Sequence, residues 1–472
     1  MKIFFSFFFS LFFLPVFAQI KADPSKTFLQ TKEGKPFFWM ADTGWKLFHR
    51  LSRQEAVHYL DVRNKQHFNV IFAVAFEEVT GPLRKNYYGD EPFKNLKTLK
   101  FNTTRGNDFR DSVAYDYWDH ADYIINEAQK RNMYIALLFT WGDKVTMREG
   151  DTRLFTNDSI AYHYAKTLVS RYKDKKNVIW MLGGDRPAIE PAEINGVVKQ
   201  VDYRPIWRAM ANAILETCGK ETFIGYHPGW HTSEYFGEED SWLSINAIQS
   251  GHANRELEIW DSVRTDLKTN PKRPFMDMEP CYEDHPVNPW DGKWTRAERG
   301  YFSDYDVRAR IYRGVFAGAC GAVYGDHQVW QFLDTTRNPP VWIGDYILGW
   351  QKALHSPAAY QMQHLKNLML SYSDFNRVED SLLIASYRGN NYKDAIIATR
   401  NQKGTYAMVY LPRPEKIKIN LDRLKKGTKR ITWFNPSTGD RAIIRKKYNS
   451  GIETFFPPDI NQKDWVLMVD VL

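Results

Sequence analysis

Short apolar segments alternate with longer amphipathic stretches from about residue 30 to residue 370. This alternation predicts parallel β-strands joined by crossover helices, because each apolar strand can then be buried beneath helices. The eight candidate strands, of which the sixth has the weakest pattern, are Phe37–Met40, Val70–Val74, Tyr134–Phe139, Val178–Leu182, Thr222–Tyr226, Ser244–Gln249, Phe275–Met278 and Ala322–Tyr324. Eight strands alternating with helices indicate an α/β fold of the (β/α)8 (TIM) barrel type, whose active site lies at the carboxyl ends of the strands.

Two of the connecting stretches have clear helical patterns, at residues 52–67 and 117–131. Ser52 has the properties of a helix N-cap, and Glu55 follows three residues later. A hydroxyl and a carboxylate at this spacing can satisfy each other's backbone N–H groups in a capping box. We therefore expect the first of these helices to begin directly after Ser52.

The pattern changes after about residue 375, where short β-prone segments are separated by turns. Leu382–Ser386, Asp394–Thr399 and Tyr406–Tyr410 are three such segments. They favour a small antiparallel β-sandwich, and 472 residues are more than one ordinary core accommodates. We predict a catalytic barrel at residues 19–374 and a β-sandwich at 375–472, packed directly together because no low-complexity linker separates them.

The first eighteen residues have the pattern of a secretory signal peptide. Lys2 supplies a positive charge, the segment Ile3–Phe17 is almost entirely apolar, and the small residue Ala18 follows it. No cysteine comes next, so a lipoprotein anchor is not expected, and no later segment reaches the roughly 18 apolar residues of a membrane helix. We expect cleavage near Ala18 and a secreted protein, periplasmic or at the cell surface, without membrane insertion.

The formal net charge of +8 raises the question of a nucleic-acid partner. The Lys and Arg residues are spread along the chain, which is typical of a solvated basic surface and does not indicate nucleic-acid binding; an acidic polymer such as pectin is the alternative. Aromatic residues make up 15% of the chain, enough for both a large core and a sugar-binding cleft. The three cysteines lack the spacing of a disulfide framework or a metal site, and no cofactor is indicated.

Carboxylates follow several of the predicted strands, at the end of the barrel where chemistry takes place. Hydrolysis of a glycosidic bond needs two such groups across the scissile bond, one to donate a proton and one to attack or to activate water. The candidates are Asp42, Glu77, Glu78, Asp143, Asp185, Glu279 and Asp326. Any one of them could instead cap a strand or form a salt bridge. The pair after strands four and seven, Asp185 and Glu279, is the more specific signal, because barrel glycosidases that retain configuration carry their two carboxylates there.

Other residues after the strands are candidates for substrate binding. Trp45, Trp141 and Trp330 could stack on a sugar ring, and Asp42 and His227 could bind hydroxyl groups, although ordinary packing explains each of them about as well. Glu77 and Glu78 cannot both face the cleft in extended chain, because side chains alternate there. A proton donor at position 185 has to be protonated, so we expect Arg186 to point towards substrate or another acid rather than towards Asp185.

The segment Trp39–Leu51 resembles the opening motif of apiosidase-like barrels, a family that includes glycoside hydrolase family 140. The Gly-Gly-Asp at Asp185 and the Met-Glu-Pro at Glu279 also match, and Trp433–Gly439 resembles the β-domain, commonly labelled collagen-binding, that often follows this barrel. The resemblance covers nearly the whole mature chain. It implies an endo-acting apiosidase on the pectin rhamnogalacturonan II, with Asp185 as acid/base and Glu279 as nucleophile.

One departure from the wider clan concerns the stereochemical outcome. Most clan members place Asn-Glu after strand four, whereas this chain has Gly-Asp, whose side chain is one methylene shorter. A carboxyl separation of about 5–5.5 Å would favour retention of configuration and about 6.5–9.5 Å inversion. Two alternatives stay open: a barrel glycosidase for another plant glycan, such as arabinan or a xylan side chain, and a non-catalytic carbohydrate- or matrix-binding protein. No zinc-protease, phosphate-loop or serine-hydrolase motif is present in the sequence.

Overall fold

A computed structural model describes residues 19–76, 85–147, 153–337 and 348–472. Eight parallel strands form its larger part, each within a few residues of a segment predicted from the sequence. They are β1 (Trp39–Thr43), β2 (Val70–Val74), β3 (Tyr134–Leu138), β4 (Val178–Gly183), β5 (Ile224–His227), β6 (Asn246–Ile248), β7 (Phe275–Asp277) and β8 (Gly321–Tyr324). The prediction of eight barrel strands is therefore confirmed.

The strands follow one another around a ring. A six-stranded sheet has the order β5-β4-β3-β2-β1-β8, and β6 and β7 form a separate parallel pair. Single backbone hydrogen bonds join the two pieces: Ser244 N–H donates to the carbonyl of Ile224 at 2.9 Å, and Cys320 N–H donates to that of Phe275 at 2.8 Å. The carboxyl ends of all eight strands consequently face the same side of the barrel, which confirms the (β/α)8 class.

Helices pack outside the ring. The longer ones are α1 (Arg53–Lys65), α2 (Tyr117–Lys130), α3 (Asp158–Tyr172), α4 (Arg204–Cys218), α5 (Ile259–Asp266), α6 (Asp304–Ala317) and α7 (Pro357–Leu370). The predicted capping box of α1 is present, with Ser52 accepting from Glu55 N–H and the Glu55 carboxylate accepting from Ser52 N–H. The link from β5 to β6 contains a short 3-10 turn, Thr232–Glu234, and no α-helix, so the regular alternation is broken at this place.

Alternation of side chains along the strands separates two layers of core. In β1, Trp39 and Ala41 belong to the cluster inside the ring, whereas Met40 belongs to the cluster between the ring and the helices. Asp42 comes next and, like Met40, points outward. It is completely buried there and accepts hydrogen bonds from Tyr59 Oη at 2.5 Å and Arg63 Nε at 2.7 Å, both on α1.

The C-terminal part is an antiparallel β-domain. Its strands are β9 (Arg377–Glu379), β10 (Ile397–Asn401), β11 (Tyr406–Leu411), β12 (Ile417–Asn420), β13 (Lys429–Phe434), β14 (Arg441–Tyr448), β15 (Ile452–Phe455) and β16 (Trp465–Val471). A six-stranded sheet of order β9-β10-β11-β16-β13-β14 lies beside the pair β12-β15. The predicted strand Leu382–Ser386 was wrong: the chain forms a 3-10 turn at Ser381–Leu383, because the Asp380 side chain accepts from Leu382 N–H.

The β-domain packs directly on the barrel. Met408 and Tyr410 of β11 belong to the same apolar cluster as the outer layer of the barrel. At this junction Arg308 of α6 donates from Nε and Nη2 to the Asp464 carboxylate at 2.9 and 2.8 Å, and both side chains are almost completely buried. Removing Arg308 would leave the buried Asp464 carboxylate without its charged partner, so the pair contributes to the junction of the two parts.

Within the described ranges, no helix combines the length and the apolar character needed to cross a membrane. The predicted signal peptide at residues 1–18 lies outside the described residues, as do Glu77 and Glu78.

Candidate active site

The turn after β4 holds three consecutive residues in left-handed backbone conformations. Gly183, Gly184 and Asp185 have φ angles of +85°, +131° and +53°. Only glycine adopts such angles without cost, and Asp185 is a non-glycine residue held there by its surroundings. Gly184 N–H donates to the carbonyl of His227 at 2.9 Å, which ties the turn to the end of β5. The side chain of Asp185 is 34% exposed, so it is open to solvent at the mouth of the barrel.

Glu279 follows β7 and is far more enclosed, with its side chain 9% exposed. Its backbone N–H donates to Asp277 Oδ1 at 3.3 Å, and its carbonyl accepts from Gly251 N–H at 2.8 Å. Two histidines contact its carboxylate. Nε2 of His252 lies 3.1 Å from Oε1, and Nε2 of His227 lies 3.2 Å from Oε2.

Backbone groups determine which nitrogen of each histidine carries the proton. Asp185 N–H donates to Nδ1 of His227 at 3.3 Å, and Tyr282 N–H donates to Nδ1 of His252 at 3.2 Å. A ring nitrogen that accepts a hydrogen bond has no proton of its own, so the ring proton of each histidine resides on Nε2. Nε2–H of His252 donates to Oε1 of Glu279, whereas Nε2 of His227 lies 3.2 Å from Oε2 without hydrogen-bond geometry.

This pair of contacts sets the charge of Glu279. Burial favours the neutral carboxyl form, but the interactions with His227 and His252 outweigh it and hold the pKa of Glu279 well below its ordinary value. These interactions therefore favour the ionised form of Glu279. An ionised carboxylate in a nearly closed pocket suits a nucleophile or a base and does not suit a proton donor.

His227 also connects the two candidate residues, through the backbone of Asp185 and the carboxylate of Glu279. Its Nδ1 accepts from the backbone of Asp185 while its Nε2 contacts Glu279, so one imidazole spans the distance between the two residues. The sequence pattern predicted that Asp185 and Glu279 lie at the same end of the barrel, and the structure brings them to either side of His227. His227 itself is completely buried and contacts these residues rather than the cleft.

The guanidinium of Arg186 does not point in the predicted direction. Its Nη1 donates to the Asp185 carboxylate at 2.7 Å and to the Asp185 carbonyl at 2.6 Å. We expected the guanidinium to point towards substrate or another acid. The opposite charges of the two side chains pair at 2.7 Å instead, so this prediction was wrong.

Aromatic side chains form the inner wall beside Glu279. The rings of Trp45 and Trp141 meet edge to face at 5.2 Å, and each lies within 5.6 Å of the His227 ring, centroid to centroid. Trp45 Nε1–H donates to Tyr282 Oη at 3.1 Å. Both tryptophans are buried, so they support the floor of the site and expose little ring surface.

The remaining candidates are engaged with other parts of the protein. Asp42 faces α1 and pairs with Arg63, so the structure does not bring it to the cleft. Trp330 is half-buried and packs against the inner core, with its carbonyl accepting from Lys46 N–H at 3.4 Å. Asp143 and Asp326 are buried, the first beside Lys144 and the second accepting from Ser356 Oγ at 2.9 Å.

Sequence reasoning missed His252 and Tyr282. His252 follows β6, the strand with the weakest pattern, and is preceded by Ser250-Gly251 rather than by a recognisable motif. Tyr282 stands three residues after Glu279, where only the path of the loop brings its ring back to Trp45. The one available signal was position, since both residues follow barrel strands at their carboxyl ends.

We predict that His252→Phe moves the acid limb of the kcat/KM pH profile to higher pH. Phenylalanine keeps the ring but removes the Nε2–H donor, so the pKa of Glu279 rises and its ionised form is lost earlier as pH falls. Loss of one charge-assisted hydrogen bond, about 1.5–3 kcal/mol, corresponds to a shift of about one pH unit or more. The measurement is kcat/KM against pH.

Two variants control for this result. His252→Gln keeps an N–H donor near the position of Nε2, and its acid limb is expected to lie closer to that of the wild type. His120→Gln alters a buried histidine that contacts the carbonyl of Leu51 instead, and it should leave the profile in place. An unchanged acid limb in His252→Phe would contradict the assigned role of His252.

Two family models match the chain. Residues 23–376 match the family model "Apiosidase-like, catalytic domain", and residues 378–470 match "Putative collagen-binding domain of a collagenase". Among curated proteins, no significant match to this chain was found.

Several solved structures are similar over nearly the whole chain. One described as a glycoside hydrolase is 29% identical, with a TM-score of 0.81 and coverage of 96% of this chain and 97% of the other. A family 5 glycoside hydrolase from Bacteroides vulgatus ATCC 8482 is also 29% identical, with a TM-score of 0.82 and coverage of 96% and 93%. A maltogenic α-amylase from Thermotoga neapolitana, 9% identical with a TM-score of 0.52, covers 92% and 99% and shares the fold alone. The chain belongs to the apiosidase-like family and is a glycoside hydrolase that acts on a carbohydrate substrate.

Proposed function

We propose that this protein is a secreted endo-apiosidase that hydrolyses apiose linkages in rhamnogalacturonan II with retention of configuration. Asp185 is the acid/base and Glu279 the nucleophile. The observation that carries the proposal is the contrast between the two carboxylates: Glu279 is enclosed and held ionised by two histidines, whereas Asp185 is exposed at the mouth of the barrel. Two carboxyl groups in different environments can take the two different protonation states that the reaction needs.

In the first step the Glu279 carboxylate attacks the anomeric carbon and forms a covalent glycosyl ester. The bond to the leaving oxygen breaks, and Asp185 transfers its proton to that oxygen. In the second step Asp185, now a carboxylate, removes a proton from water, which attacks the anomeric carbon and releases Glu279. His227 and His252 keep Glu279 oriented and ionised before each cycle.

Arg186 adds one requirement to this mechanism. Its Nη1 donates to the Asp185 carboxylate at 2.7 Å. Asp185 can reach the leaving oxygen only when Arg186 exchanges this partner for another, such as an oxygen of the bound sugar. Acid catalysis therefore requires that substrate binding breaks the pair of Asp185 and Arg186.

Three observations support the choice of substrate. The catalytic family is named for apiosidase activity, and its model covers residues 23–376. The formal net charge of +8 suits an acidic pectin. The apolar segment at residues 1–18 suits export from the cytoplasm, and plant polysaccharides are found outside it. We also propose that the protein is a member of glycoside hydrolase family 140.

Product analysis tests the proposed function directly. Wild-type protein is incubated with oligosaccharides prepared from rhamnogalacturonan II, arabinan and arabinoxylan, and the products are identified by mass spectrometry and NMR. We expect cleavage of the first pool at apiose, with the configuration of the initial product retained. Cleavage restricted to arabinan or arabinoxylan would refute the apiosidase assignment and identify the alternative plant glycan. An initially inverted product would refute the role of Glu279 as a nucleophile.

A further inference from the structure

A large aromatic side chain stands exposed on the loop that follows Glu279. Trp290 lies on the 3-10 turn Pro289–Asp291 and is 53% exposed. Burying an indole ring contributes strongly to stability, and single exposed aromatic residues occur on many surfaces. Trp290 differs from such residues in two ways: the turn that carries it is anchored, and the inner side of its ring faces two histidines.

The turn that carries Trp290 is fixed at several points. Arg299 donates from Nη1 and Nη2 to the two oxygens of Asp291, both at 2.7 Å, and from Nη1 to the carbonyl of Asn288 at 2.8 Å. Asn288 N–H donates to the carbonyl of His252 at 2.9 Å. The residues on either side of Trp290 are thus tied to each other and to the segment that bears His252, so the turn that carries the ring is anchored next to the site.

The inner side of the Trp290 ring faces two histidines, one of which contacts the candidate nucleophile Glu279. Its ring lies 5.7 Å from that of His285 and 6.2 Å from that of His252, with interplanar angles of 32° and 26°. His252 and His285 stack on each other at 4.0 Å. Since His252 also contacts Glu279, a single imidazole separates Trp290 from the carboxylate.

We propose that Trp290 forms the aromatic wall of a sugar-binding subsite beside the sugar that Glu279 attacks. A flat, rigid ring at the rim of a cleft can stack on the apolar face of a sugar ring at little entropic cost, because it is already in place. The ligand is a neutral or weakly polar sugar residue of the oligosaccharide, held by its ring face and not by its charge. This inference rests on the proposed glycosidase site and concerns substrate binding, not bond cleavage.

The test compares Trp290→Ala, Trp290→Phe and the wild type. The probe is whichever oligosaccharide pool from rhamnogalacturonan II, arabinan or arabinoxylan the wild type cleaves. We expect Trp290→Ala to raise KM about tenfold or more, with kcat changed by less than about threefold, and Trp290→Phe to retain most of the affinity. Tyr387→Ala, which removes another exposed aromatic ring on the C-terminal domain, should leave both constants unchanged.

Two further measurements separate binding from an indirect effect. The acid limb of the pH profile should stay in place in Trp290→Ala, because a shift would mean that the loop acts through His252 on Glu279. Calorimetric titration of the same oligosaccharides into Glu279→Gln, with and without Trp290→Ala, should show the same loss of affinity without turnover. An unchanged KM and affinity, a shifted acid limb, or a wild type that neither binds nor cleaves any of the three pools would overturn the subsite.

Failure of the proposed function is a different result. Cleavage of arabinan or arabinoxylan alone refutes the apiosidase assignment, yet the Trp290 variants can still be compared on that substrate. Cleavage at apiose with an unchanged KM in Trp290→Ala refutes the subsite alone.

Discussion

Replacing Glu279 by glutamine is expected to lower kcat/KM by about 10⁴-fold or more. Glutamine has nearly the same shape, and its single carbonyl oxygen can still accept from Nε2–H of His252, so the pocket should remain folded. It carries no negative charge and cannot form the glycosyl ester. The measurement is the initial rate of oligosaccharide cleavage, together with the urea midpoint of unfolding to confirm that the variant is intact.

The companion variant Asp185→Asn separates the two roles. Loss of a general acid costs about 10²–10⁴-fold on a substrate whose leaving group needs protonation. The loss should be smaller on an aryl glycoside, because a nitrophenolate leaves without a proton, whereas Glu279→Gln should be inactive on both substrates. Glu239→Gln, at an exposed carboxylate that pairs with Arg208, serves as the control and should keep full activity. Full activity in either Glu279→Gln or Asp185→Asn would refute the assigned pair.

Gly183→Ala is expected to lower both stability and activity. Gly183 has φ of +85°, and a methyl group there would overlap the carbonyl oxygen of His227, which is backbone and cannot swing aside. The left-handed conformation and the overlap together should cost about 3 kcal/mol or more in the free energy of unfolding. Because the overlap would displace the end of β4, which leads to Asp185, against the end of β5, which carries His227, kcat/KM should fall by roughly 10²-fold or more. Urea unfolding and initial rates provide the two measurements.

Gly196→Ala is the matched control for this prediction. Gly196 also has a left-handed φ, +76°, but it lies in the turn between the strands Ile189–Ile194 and Val197–Asp202, where a methyl group would meet nothing within 4 Å. It should therefore show the conformational cost alone, about 1–2 kcal/mol, with unchanged kcat/KM. An equal loss of activity in both variants would show that the contact with His227 is not the cause.

The eight barrel strands could be predicted because each is a short apolar run with a different periodicity from the helix that follows it. The capping box at Ser52 and Glu55 could be predicted for a similar reason, since a local hydrogen-bond pattern depends on spacing alone. The missing helix between β5 and β6 could not be predicted in this way. Neither could the turn in place of the strand at Leu382–Ser386, where Leu382 N–H donates to the Asp380 carboxylate.

The candidate site likewise has one part that the sequence predicted and one part that it did not. Position after strands four and seven singled out Asp185 and Glu279, because parallel strands end on one side of a barrel whatever their side chains do. Asp42 also follows this rule of position, but the phase of its strand turns it outward to Arg63. A shift of one residue along a strand exchanges the two faces, and a sequence pattern with uncertain ends does not define that phase.

The amino-acid sequence by itself determined the order of strands and helices, the barrel class and the end of the barrel where two carboxylates lie. Only the tertiary structure decided that His227 and His252 hold Glu279 ionised, that Arg186 pairs with Asp185, and that Trp290 reaches the site through His252. The physical reason is separation along the chain. Local periodicity is set by neighbouring residues, whereas the charge of a carboxylate is set by groups that come from other strands and meet only when the barrel closes.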